Sequence, residues 1–177
     1  MGRGNIFLVG MMGAGKTTLG RALAQRLRMR FVDTDRIMVE RTGVPVATIF
    51  EIEGEDGFRK RESAVLAEVA AEDAQVIATG GGAVLASENR EVMRGRGTVI
   101  YLRAQVDALW ERTRHDASRP LLRTADPRAT LGALLEARDP LYREAAHLIV
   151  DTGAQSAATL VNRVLASLRQ NAAGAPR

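Results

Sequence analysis

Gly10-Met-Met-Gly-Ala-Gly-Lys-Thr17 follows a short apolar run, Ile6 to Val9, and opens into a helical stretch, Lys16 to Leu27. A glycine-rich turn between a buried strand and a helix, ending in lysine and a hydroxyl, is the pattern of a phosphate-binding loop. Gly10, Gly13 and Gly15 let successive backbone N–H groups turn inward around a polyphosphate, Lys16 reaches the outer phosphates, and Thr17 offers a hydroxyl to magnesium. Of the chain's 25 basic residues only Lys16 and Lys60 are lysines. A compact ammonium fits between phosphate oxygens where a planar guanidinium does not, so the exception falls where the chemistry requires it. The alternative is a plain glycine-rich strand-to-helix turn.

Outward from this loop, short apolar β-type runs alternate with longer helical ones, the signature of a parallel sheet covered on both faces. Strands are expected near Ile6 to Val9, Phe31 to Val32, Val76 to Ala78, Val99 to Leu102 and Leu148 to Val150, which makes an α/β sheet of five strands. Helical spacing recurs over Gly57 to Ala71, Val106 to Thr113 and Ser156 to Leu168, the last with Leu160, Val161, Val164, Leu165 and Leu168 on one face. Two segments interrupt the alternation. Thr42 to Gly57 reads as a small helical insertion, and the polar stretch Arg114 to Pro127 as a mobile flap that would exclude water during group transfer. Both fall at the carboxyl ends of strands, where open α/β sheets bind ligands. Asn171 to Arg177 loses all periodicity and is expected to be a frayed tail.

Composition narrows the function classes. At 177 residues and 46% hydrophobic, the chain can bury the core of one domain. It has no cysteine, which excludes disulfides and thiolate metal sites and agrees with a reducing compartment. No apolar run approaches the roughly 20 residues of a membrane span, and Met1-Gly-Arg-Gly-Asn leads into a strand rather than a signal peptide, so a cytoplasmic location is expected. The net charge of +4 is spread among interleaved acids, and aromatics are only 4%, so a small anionic ligand suits the surplus better than nucleic acid.

Four further clusters carry chemistry. Phe31-Val-Asp-Thr-Asp35 ends the second strand with carboxylates at alternate positions, which leave the backbone on one side if the extended geometry continues; alternatively Asp35 caps a helix starting at Arg36. Thr79-Gly-Gly-Gly82 costs backbone entropy, so close approach to its main chain is expected. Arg59 and Glu62 lie three apart on a helix, where the carboxylate can hold the guanidinium from behind. In Arg138-Asp-Pro-Leu-Tyr142 the arginine is read as ending a helical stretch before the proline. His115 and His147, the two histidines, sit in no motif and read as structural or lid-surface residues.

Together with Phe58-Arg-Lys-Arg-Glu62, Arg119-Pro-Leu-Leu122 and Val150-Asp-Thr152, these motifs resemble, in order and spacing, the shikimate kinase family over Asn5 to Leu168. The resemblance implies the nucleoside-monophosphate-kinase type of fold: a five-stranded parallel sheet in the order 2-3-1-4-5, with a substrate-binding insertion (about 34–62) and a lid (about 113–126) in a single domain. It implies transfer of the γ-phosphoryl of ATP to the 3-hydroxyl of shikimate, on the route to chorismate and the aromatic amino acids. The expected partners are these small molecules and Mg2+, with no nucleic acid or membrane, and the expected state is a monomer.

Residue by residue, the resemblance makes Arg59 and Arg138 the grip on the shikimate carboxylate, Asp35 the base that also binds ring hydroxyls, and Gly80, Gly81 and Gly82 a close main-chain contact. Phe50, Phe58, Pro120 and Leu121 are candidate walls around the ring. Gly13, Ala14, Gly15, Lys16, Thr17 and Thr18 would cradle the nucleotide phosphates, with Thr17 on the metal directly and Asp33 through water. Arg119 would close on the transferring phosphoryl, and Arg112 would lie against adenine. Where an arginine can support adenine in relatives, this chain has Gln155, whose amide or backbone is expected to take the contact. The rivals are another small-molecule kinase of this fold, a nucleotide switch, and a nucleic-acid-associated ATPase.

Overall fold

The structure is a computed structural model that describes residues 4–174. Five strands, β1 (Asn5–Val9), β2 (Arg30–Asp33), β3 (Gln75–Ala78), β4 (Gly97–Arg103) and β5 (Leu148–Asp151), form one sheet in the order β2-β3-β1-β4-β5. Every pairing is parallel. Every residue of β1 is buried, as a central strand covered on both faces must be, and Phe7 stands in register with Ile77 on one side and Val99 on the other.

Among the described residues seven α-helices complete the fold: α1 (Lys16–Leu27), α2 (Thr34–Thr42), α3 (Val46–Ala71), α4 (Ser87–Arg96), α5 (Val106–Thr113), α6 (Pro127–Ala145) and α7 (Ala157–Gly174). Helix α1 packs with α7, while α4 packs with α3 and α6. The core between sheet and helices is aliphatic with Phe7, Tyr101 and Tyr142 fully enclosed. Among the described residues, no helix is long and apolar enough to cross a membrane.

The structure corrects several boundaries. Helix α6 does not stop at Arg138 but runs through Pro140, whose missing N–H leaves only the carbonyl of the exposed Glu136 without its helical donor, a position water can serve. The insertion and the helix after it follow one another within α3 as two helical pieces, separated at Gly54 (φ 70°, ψ −179°), a few residues before the expected boundary at Gly57, in a conformation that suits glycine. Helix α4 had no sequence signal, since Val92 and Met93 are its only apolar side chains. Helix α7 continues to Gly174, so Asn171–Gly174 is helical rather than a frayed tail, and residues 175–177 lie outside the described residues.

Candidate active site

The turn from β1 into α1 wraps around the first helical amides. Gly13 (φ 79°) and Gly15 (φ 94°) hold left-handed conformations that keep the loop open, and the N–H of Ala14 closes it by donating to the Met11 carbonyl at 3.1 Å. Ala14 is buried beneath the loop, while Gly15 and Thr18 are exposed. Lys16 Nζ folds across the turn and donates to the carbonyls of Gly10 (2.6 Å) and Met11 (2.8 Å). Desolvation pushes its pKa down to about 8, against the pull of Asp35.

Thr17 Oγ1 donates to Asp33 Oδ2 at 3.0 Å, which joins α1 to the end of β2. Asp33 Oδ1 accepts from the N–H groups of Asp35 (3.1 Å) and Arg36 (3.3 Å), so Asp33 caps α2. The extended geometry therefore ends at Asp33. Helix α2 begins at Thr34, so Asp35 projects from its first turn, and the cap that sequence reasoning offered to Asp35 belongs to Asp33. One oxygen of Asp33 serves the helix and the other faces the loop threonine.

Asp35 Oδ1 is buried with no hydrogen-bond partner. Desolvation, then the nearby Asp33, raises its carboxyl pKa, while Lys16, Arg119 and Arg59 pull it back. On α3, Glu62 is buried and accepts from Arg59 Nη1 at 2.8 Å. That guanidinium also meets Glu55 Oε1 at 3.4 Å and lies over the rings of Phe58 (5.2 Å) and Phe50 (5.8 Å), so four neighbours fix its plane. Arg138 comes from α6 and is 3% exposed. Burying guanidinium groups is costly unless something anionic meets them, and among the described residues Arg59 pairs with Glu62 and Glu55 while no carboxylate pairs with Arg138.

The three glycines after β3 lie where these side chains converge. A Cβ on Gly80 would strike Glu62 and stand 3.0 Å from Asp35 Oδ1; one on Gly81 would lie 3.4 Å from Arg138 Nη1; one on Gly82 would collide with the Arg59 guanidinium. The close approach foreseen from the sequence is made first by the protein's own acids and arginines.

Two adjoining cavities open on this arrangement. The larger, about 770 Å³, is lined by Gly13, Gly15, Lys16, Thr17, Thr18 and Asp33 among others. The second is lined by Phe50, Phe58, Arg59, Glu62, Gly80, Gly81, Gly82, Leu121 and Arg138. Asp35, Gly81, Arg119 and Pro120 border both. A carboxylate and an arginine from the segment between α5 and α6 thus stand at the passage between a compartment built on the loop and a compartment with two arginines. Met12 and Val46 also border both cavities, and sequence reasoning missed them because single apolar residues look like core.

Arg119 Nε donates to Asp116 Oδ2 at 2.9 Å within the segment between α5 and α6. Arg112 and Gln155 line neither cavity but meet beside the loop: Arg112 donates to the carbonyls of Gly13 (2.9 Å) and Gly153 (3.2 Å), and Gln155 Oε1 accepts from Gly153 N (2.9 Å). His115 is exposed on the same segment, and His147 Nδ1 accepts from Val99 N at 3.0 Å, a structural role.

A 2-3-1-4-5 parallel sheet with a phosphate loop after its first strand, and a second compartment with two arginines beside it, defines a phosphate-loop kinase of small molecules. The family model for shikimate kinase matches residues 12–169. A shikimate kinase of Nitrosospira multiformis is 60% identical over 86% of this chain and 78% of its own length, and one of Bordetella pertussis is 59% identical over 93% and 78%. The structure of shikimate kinase from Acinetobacter baumannii in complex with shikimate superposes with a TM-score of 0.93, at 46% identity, over 96% of this chain and 94% of that one. The chain belongs to the shikimate kinase family.

Proposed function

We propose that this chain transfers the γ-phosphoryl of ATP to the 3-hydroxyl of shikimate, a step toward the aromatic amino acids, as a cytoplasmic monomer whose single domain carries its insertion at about 34–62 and its lid at about 113–126. The observation that carries this reading is the pairing of Arg59 and Arg138 around one cavity whose floor is the triple-glycine turn and whose exit is Asp35. Two planar forks match one carboxylate, and a ring held by its acid group presents its alcohols toward the phosphate compartment.

Asp35 takes the proton of the attacking hydroxyl. Its side chain borders both cavities, and Lys16, Arg119 and Arg59 favour the ionised carboxylate against the desolvation and the Asp33 charge that raise its pKa. The loop amides from Gly13 to Thr18 and Lys16 hold the phosphates, with Arg112 and Gln155 beside the base. Arg119, at the mouth of both cavities, closes on the equatorial oxygens of the transferring group, an effect worth ~10³- to 10⁵-fold in related phosphoryl transfers.

Thr17 and Asp33 offer oxygen donors only, as a hard cation prefers, and their contact at 3.0 Å leaves a hydroxyl and a carboxylate side by side. They would hold Mg2+, which neutralises phosphate charge during transfer. No side chain forms a covalent bond; positioning and charge supply the catalysis.

The test is ADP release measured with shikimate, gluconate, nucleoside monophosphates and nucleic acid in parallel. Release that depends on shikimate alone is expected. Release driven by another acceptor, or by polyanions with steep salt dependence, would replace this reading.

A further inference from the structure

Tyr142 lines neither cavity, yet its side chain is completely enclosed and its hydroxyl reaches the rear of the second one. The hydroxyl donates to the Gly81 carbonyl at 2.5 Å, with Met11 Sδ a weaker partner at 3.5 Å. A phenol has one proton to give, and the carbonyl is the stronger acceptor, so its lone pairs are left for a donor. The charged group facing the phenol is Arg138, one turn earlier on α6, whose guanidinium also stands next to Gly81. Burial pushes the phenol up to about 12, so it keeps the proton it donates to Gly81 at any working pH. The ring is braced by Tyr101, stacked at 4.8 Å and 26°, whose own hydroxyl donates to Asp139 Oδ1 at 2.8 Å, and Asp139 Oδ2 accepts from Arg143.

We propose that Tyr142 is a positioning residue for the acid grip: one hydroxyl ties the Arg138 fork to the Gly81 peptide, and so sets together the side-chain and main-chain contacts that the substrate carboxylate and ring meet. A buried guanidinium can otherwise rotate about its long stem. The Tyr142 hydroxyl occupies one of its edges and orients the rest toward the cavity. This inference rests on the function proposed above, and it assigns a role to a residue that touches neither substrate nor phosphate.

The experiment measures kcat and KM for both substrates, with melting temperatures, for Tyr142→Phe, Tyr101→Phe, Arg138→Ala and the Arg138→Ala/Tyr142→Phe pair. Tyr142→Phe should raise the shikimate KM about tenfold, the size of one hydrogen bond to a charged group, with kcat and the ATP KM within about twofold. In the Arg138→Ala background the same change should alter kcat/KM for shikimate by less than about twofold, because its target is gone. Tyr101→Phe should lower the melting temperature and leave the shikimate KM alone. An unchanged KM in Tyr142→Phe overturns the inference, as does a full effect without Arg138, or the same KM rise in Tyr101→Phe, since each would reduce Tyr142 to packing. Unaltered protein that released no ADP with shikimate would overturn the functional reading itself and this inference with it, an outcome separable because it is read before any substitution.

Discussion

Gly82 and Arg59 share one space: the position a Cβ would take on Gly82 is filled by the guanidinium of Arg59. Gly82 has φ −96° and ψ 5°, so its backbone does not demand glycine. Its side chain is absent because an arginine, held from behind by Glu62, needs the room.

Gly82→Ala should therefore act through Arg59. The shikimate KM is expected to rise at least about tenfold with the ATP KM and melting temperature nearly unchanged. Gly132→Ala is the counterpart inside α6, where no atom lies within 4 Å of an added Cβ. It should stabilise the protein by about 0.5–1 kcal/mol without kinetic effect. Equal kinetics in the two variants would remove the Gly82 contact from the site.

Asp35→Asn removes the base and spares the grip. We expect kcat to fall by about 10² to 10⁴ while ATP still binds, read by single-turnover assay and by nucleotide titration. Near-normal turnover would mean that the hydroxyl proton leaves directly to solvent.

Asp33 has two jobs on two oxygens, so two substitutions separate them. Asparagine is as good a helix cap, and Asp33→Asn should melt close to the unaltered protein, while Asp33→Ala should lose about 1 kcal/mol. Both should need more Mg2+ for half-maximal rate. A normal metal requirement in both would confine Asp33 to capping.

Lys16 carries a pH signature. Its pKa is lowered to about 8 by desolvation, so in the free protein the ammonium loses its charge as pH rises through that value, where nucleotide phosphates are already fully ionised. ATP affinity, followed by titration from about pH 7 to 9.5, should weaken on the alkaline side, and bound ATP should move the corresponding limb of kcat to higher pH. A flat affinity across that range would show Lys16 ionising elsewhere.

Much of this was legible in the chain itself, because it follows from local periodicity and local chemistry. The phosphate loop announces its strand and helix, and the apolar runs at β1, β3 and β4 can only be buried strands. The arginines, the acids and the glycine triplet could each be named as sites. What could not be read locally was mistaken wherever a neighbour overruled a propensity. Pro140 was taken for a helix end, but α6 continues past it in contact with α4 and β4. The cap that the sequence offers to Asp35 as an alternative belongs to Asp33, because a cap depends on where the first helical turn starts.

The amino-acid order alone determined the parallel sheet, the loop that meets phosphate and the inventory of charged groups, since each depends on residues close in the chain. Only the tertiary structure decided that Gly80, Gly81 and Gly82 would be the ground on which Asp35, Glu62, Arg138 and Arg59 converge, and that the Tyr142 hydroxyl would reach the Gly81 carbonyl from behind. Those contacts join α2, α3 and α6 to the end of β3 across long stretches of chain. Their energy depends on desolvation and on distances that exist only after the sheet has brought the segments together.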